Sequence, residues 1–145
     1  MAATLDRAGP GLLHPVHAYF LAATTTLFLG ALLSDIAYAL SYQIQWINFA
    51  SWLVAGGLVT GAVAVVFAIF GLFGARRRGR PAIIYLLLLA ATWIIGFFNA
   101  LVHAKDAWAA MPAALVLSVI ATALALAASW LGFSAYANVR TGGQA

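Results

Sequence analysis

Residues 49–73 read FASWLVAGGLVTGAVAVVFAIFGLF, without one charged side chain. A helix rises about 1.5 Å per residue, so about 20 apolar residues cross a hydrocarbon core roughly 30 Å thick. This run is long enough to do so. It is bounded by Gly74 and then by Arg76, Arg77, Arg78 and Arg80, whose charges belong in the headgroup region rather than among acyl chains.

Three more runs of the same kind flank it. The first extends from Pro15 to Leu40, the third from Pro81 to His103 and the fourth from Pro112 to Tyr136, with Phe49 to Phe73 as the second. Pro15 suits a first helical turn, where its missing N–H is not needed. Composition agrees. Of the 145 residues 66% are apolar and 7% charged, against about 45–50% and about 25% in soluble domains. The expected fold class is an all-α membrane protein, a four-helix bundle running up-down-up-down, because links of about a dozen residues or fewer join antiparallel neighbours. The domain reading is a tail over 1–13, the bundle over 14–137 and a second tail over 138–145.

Orientation follows from basic residues. Arg7, Arg76, Arg77, Arg78, Arg80 and Arg140 fall on one side of such a bundle and Lys105 on the other. The positive-inside rule then places both termini in the cytoplasm. Trp46, Trp52 and Trp108 fall near the opposite ends of the spans, where interfacial indoles belong. The first apolar run is too long for a cleaved signal peptide and is expected to remain as a span.

The net charge of +4 comes mostly from the arginine run, a topology determinant rather than a nucleic-acid patch. No cysteine occurs, which removes disulfides and thiolate ligands. No glutamate occurs, and one of the three carboxylates, Asp6, lies in the N-terminal tail. There is no phosphate-cradling glycine loop, zinc-protease motif or nucleophile elbow, so no catalytic residue and no metal site is assigned. Gly57 and Gly61 on the second span, with the stripes Ala114–Ser118–Thr122 and Ala121–Ala125–Ser129 on the fourth, let helices approach closely. They serve packing within one chain or, alternatively, a homo-oligomer seam.

Ionisable residues inside spans are costly and are therefore the functional candidates. His14 and His17, in His14-Pro15-Val16-His17, share a helix face if both are helical. They are candidates for haem or metal ligation, or else meet headgroups and water. Asp35 lies about 31 Å along the helix from His14, level with His103. Asn99 lies one turn from His103 on the same face. Asp35, Asn99 and His103 are expected to meet as a polar cluster, with Lys105 and Asp106 at its rim. Such a cluster is either a proton relay or quinone site, or a structural tie between the first and third helices. His103 and the His14/His17 pair fall at opposite membrane faces, so they do not clamp one haem.

HPVHAYF (14–20), FLGALLSDIAYALSYQIQWINFASWLVAGGLVTG (28–61), FFNALVHAKDAWAAMPAALVLSVI (97–120) and WLGFSAY (130–136) together resemble the bacterial membrane family called domain of unknown function 2231. The resemblance spans about residues 12–137, and the His-Pro-x-His, Asp-Ile-Ala-Tyr and Gln-Trp-x-Asn-Phe segments carry it. It implies a four-helix protein of the bacterial inner (cytoplasmic) membrane. Some members resemble small b-type cytochrome subunits, set beside periplasmic dehydrogenases as electron-accepting partners. Those have further histidines at the start of the third span and after the fourth. Here these places read Pro81-Ala82-Ile83-Ile84-Tyr85 and Tyr136-Ala137-Asn138-Val139-Arg140, so only His14 and His17 match.

Two functions remain in view. One is a membrane subunit, without chemistry of its own, that packs in, anchors or assembles a larger inner-membrane complex with other membrane proteins. The other is an electron-transfer subunit handling haem b or quinone. A transporter ranks below both, since no span has the broken Gly/Pro centre of transporter sites.

Overall fold

The computed structural model describes residues 15–73 and 80–142, the stretch 135–142 by backbone alone. His14 and Arg76, Arg77 and Arg78 lie outside the described residues. The helices are α1 (Pro15–Ser41), α2 (Ile44–Phe73), α3 (Arg80–His103), the single turn α4 (Ala107–Ala110) and α5 (Ala113–Gly142). Among the described residues, four helices are long and apolar enough to cross a membrane: α1, α2, α3 and the Ala113–Ser134 part of α5. The chain is an all-α membrane protein.

Besides the run of α5 past Tyr136 to Gly142, into the stretch expected as a tail, two features differ from the sequence reading. Helix α2 begins at Ile44, so only Tyr42 and Gln43 separate it from α1. The tight link works because Tyr42 takes a left-handed conformation, φ 53°, and its N–H donates to Tyr38 O at 2.7 Å, closing α1 on one of its last orphan carbonyls. At 30 residues, α2 is about 45 Å long and exceeds the hydrocarbon core, which leaves Trp52 about 12 Å from its start. The second difference is α4, an extra turn between α3 and α5 that packs under Tyr38, Ile47 and Ala114.

Helix α1 packs against α2 and α5, and so does α3. The four long helices thus form a ring with α1 and α3 on one diagonal. Their interior faces repeat at alternating steps of three and four residues. On α1 these are His17, Leu21, Thr24, Phe28, Ala31, Asp35 and Tyr38; on α2, Ile47, Ala50, Val54, Gly57, Gly61, Ala64 and Ala68. On α3 they are Leu89, Thr92, Gly96, Asn99 and His103, and on α5 Ala114, Ser118, Ala121, Ala125 and Ala128. That alternation belongs to left-handed bundles with helices crossing at about 20°.

The interior mixes small and polar side chains with a few large apolar ones, while the exterior is large and apolar. Leu40, Val59, Phe70, Leu87 and Trp130 all point outward. Lipid explains the inversion. Tails are as apolar as leucine, so helices associate through close packing and hydrogen bonds. Gly57 and Gly61 are filled from within the chain, by the Phe28 ring and by Thr24 and Trp93. Both α5 stripes also turn inward. Cross-helix hydrogen bonds join Thr24 to Thr60 at 3.0 Å, Thr25 to Ser129 at 2.6 Å, Thr122 Oγ1–H to Phe28 O at 3.0 Å and Trp93 Nε1–H to Leu58 O at 3.0 Å.

Candidate functional site: a buried Asp–His–Ser–Asn cluster

Residues on α1 meet residues 68 positions later on α3, as the parallel diagonal of the ring requires. His17 faces Tyr85, Phe28 faces Gly96 and Asp35 faces His103. The two polar contacts sit at opposite ends of the bundle and the Phe28 ring lies between them. Along α1, His17 and Asp35 are about 27 Å apart.

The Asp35 end carries the richest chemistry. His103 Nε2 lies 2.9 Å from Asp35 Oδ1. Ser118 Oγ donates to Asp35 Oδ2 at 2.5 Å, and Asn99 Nδ2 donates to Ser118 Oγ at 2.9 Å. His103 Nδ1 lies 3.0 Å from the carbonyl of Asn99. Asp35, Asn99 and Ser118 are completely buried, and the His103 side chain is 1% exposed. The structure thus brings Asp35, Asn99 and His103 together, and adds Ser118. Lys105 and Asp106 lie exposed in the link beyond them.

These bonds constrain the protons. A carbonyl only accepts, so His103 Nδ1 carries a hydrogen toward Asn99 O. The contact between Nε2 and Oδ1 then needs one more. Either imidazolium donates to carboxylate or carboxylic acid donates to neutral imidazole, and both arrangements hold a single shared proton and no net charge. That neutrality is what makes the pair tolerable away from water. One group is not satisfied: Asn99 Oδ1 is buried with no partner among the described atoms.

At the other end, His17 Nε2 lies 2.9 Å from Tyr85 Oη, and the imidazole stacks on Phe67 at 5.8 Å between centroids. This nitrogen faces the interior. Among the described residues no group of three or more His, Cys, Asp or Glu side chains could hold a metal ion. Given their separation, His17 and His103 do not fit as the two axial ligands of one haem.

Sequence reasoning missed Ser118 as a cluster member, Tyr85 as the partner of His17, and Gly96. One signal was available: the spacing from His17 to Asp35 equals that from Tyr85 to His103. Two parallel helices with equal spacings can pair at both ends.

The family model described as predicted membrane protein (DUF2231) matches residues 13–145. The chain belongs to this family. No curated protein matches it, and neither does any solved structure. The DUF2231 match takes in all four spans, so the Asp35 cluster and the His17–Tyr85 contact both lie within the family's domain.

Proposed function

We propose that this DUF2231 protein is a membrane subunit that packs in and assembles a larger bacterial inner-membrane complex, with both termini in the cytoplasm. One observation carries this reading. Most described polar side chains within the spans bond inside the bundle, while the lateral wall, Thr26 apart, is largely apolar and bears exposed Trp52, Phe70 and Trp130. A wall of that kind offers partners shape and apolar contact rather than chemistry. The test is solubilisation in a mild detergent followed by native mass spectrometry. Co-purifying membrane proteins in fixed ratio support the reading, and a stable lone monomer overturns it. Adding the chain's topology to the test, a reporter at either terminus read out in the periplasm overturns the cytoplasmic placement.

A second reading, a quinone-handling or haem-bearing electron-transfer subunit, is favoured by the buried Asp35–His103 pair, since quinone reduction takes up protons. Haem fits less well: a ligand bond to His17 Nε2 requires breaking its contact with Tyr85. A reduced-minus-oxidised spectrum without b-type bands removes haem. Quinone-linked electron flow unchanged by both His103→Ala and Asp35→Asn removes the quinone role.

A further inference from the structure

We infer that the Asp35–His103–Ser118–Asn99 cluster is a hydrated site, with one internal water donating a hydrogen bond to Asn99 Oδ1 beside the proton shared by Asp35 and His103. The inference is independent of whether the chain joins a larger assembly. It starts from Asn99 Oδ1, a fully buried acceptor with no partner among the described atoms. Leaving such an atom dry carries the whole desolvation penalty, and buried waters occupy this kind of position.

The surroundings specify the occupant. Flipping the Asn99 amide does not cure the defect, because Nδ2 already donates to Ser118 Oγ and the Ser118 hydroxyl hydrogen is committed to Asp35 Oδ2. A flip would leave the carbonyl facing an Oγ with no free hydrogen and would orphan the amide donor as well. The missing group must therefore be an O–H or N–H donor from outside the cluster. Asp35, Asn99 and Ser118 are sealed from the surface, which excludes a lipid headgroup or an aromatic ring from outside as the donor. Water also needs further polar partners, and the Asp35 oxygens keep lone pairs that can accept its second hydrogen.

The site lies between two apolar layers. Phe28, Ala31, Val54, Ala121 and Ala125 close it toward the bundle centre. Tyr38, Ile47, Ala107, Ala110 and Ala114 close it toward the near end, and Lys105 and Asp106 stand exposed beyond them. The ionisable groups around the cluster are Asp35 and Tyr38 from α1 and His103 from α3. Helix α2 contributes none, nor does the described part of α5 near Ser118.

The experiment uses the full chain in lipid nanodiscs. The sequence holds three asparagines, Asn48, Asn99 and Asn138, so an Asn48→Gln/Asn138→Gln background with carbonyl-labelled asparagine isolates Asn99. Infrared spectroscopy reads whether its side-chain carbonyl is hydrogen-bonded. Water-edited solid-state NMR reads whether magnetisation passes from water to Asn99 Cγ and the His103 ring. The expected result is a carbonyl band at the hydrogen-bonded frequency together with water transfer to both residues. Loss of transfer to His103 in Asn99→Leu is expected as well. A free carbonyl band overturns the inference, because no donor is then present. A bonded band without water transfer overturns it too, because another group then supplies the hydrogen. Both readouts come from chain with an intact cluster and stand even if Asn99→Leu fails to fold.

Discussion

Gly96→Ala tests the packing of the bundle most directly. A Cβ at Gly96 would stand 2.5 Å from Phe28 Cζ, 2.9 Å from its Cε1 and 3.3 Å from Leu58 Cδ2. Unstrained carbon contacts lie at about 3.5–4.0 Å, so the ring must retreat by roughly 1 Å. The ring has to absorb this shift inside the bundle. Its other edge already lies 3.2 Å from where a Cβ on Gly57 would stand, and Phe28 is 1% exposed. Overpacking of this kind costs about 1–3 kcal/mol. Against it runs the gain from replacing glycine by alanine in a helix, up to about 1 kcal/mol. Gly71→Ala measures that gain alone, because nothing lies within 4 Å of its Cβ position. Gly96→Ala should therefore fall about 1–3 kcal/mol below Gly71→Ala in reversible unfolding in mixed detergent–SDS micelles, followed by far-UV circular dichroism. Phe28→Leu shortens the ring side chain and should make Gly96→Ala nearly harmless in the double variant, with a coupling energy on the order of 1–2 kcal/mol. Equal stability of Gly96→Ala and Gly71→Ala, or no relief from Phe28→Leu, would refute the reasoning.

In the same assay, His103→Ala should destabilise by about 3–5 kcal/mol, because it strips a buried carboxylate of its partner; Asp35→Asn/His103→Ala should recover part of that loss, and additive losses would show that the pair is not coupled. Ser118→Ala should cost about 1–3 kcal/mol by leaving Asp35 Oδ2 and Asn99 Nδ2 short of a partner. Thr26→Ala, which removes only an exposed bond to Ala22 O, should stay within about 0.5 kcal/mol of the parent. Tyr85→Phe should cost about 0.5–1.5 kcal/mol through its contact with His17, and the ring nitrogen signals of His17 should move in the NMR spectrum while those of His103 stay in place.

Membrane class and four spans were legible in the sequence by itself, because crossing hydrocarbon is a one-dimensional condition on run length and the absence of charge. The common level of Asp35, Asn99 and His103 was legible as well, since helical rise converts residue counts into depth. What only the tertiary structure decided was which way each helix turns. In water, apolar periodicity reveals the inward face; in lipid, both faces are apolar and that contrast vanishes. So Ser118 looked like one more small residue in a stripe, Tyr85 like the start of a span, and Gly96 like nothing in particular. Their roles depend on the register between α1 and α3 and on the rotation of α5, which are set by the Phe28 ring fitting between two glycines and by hydrogen bonds that have no other partner to find.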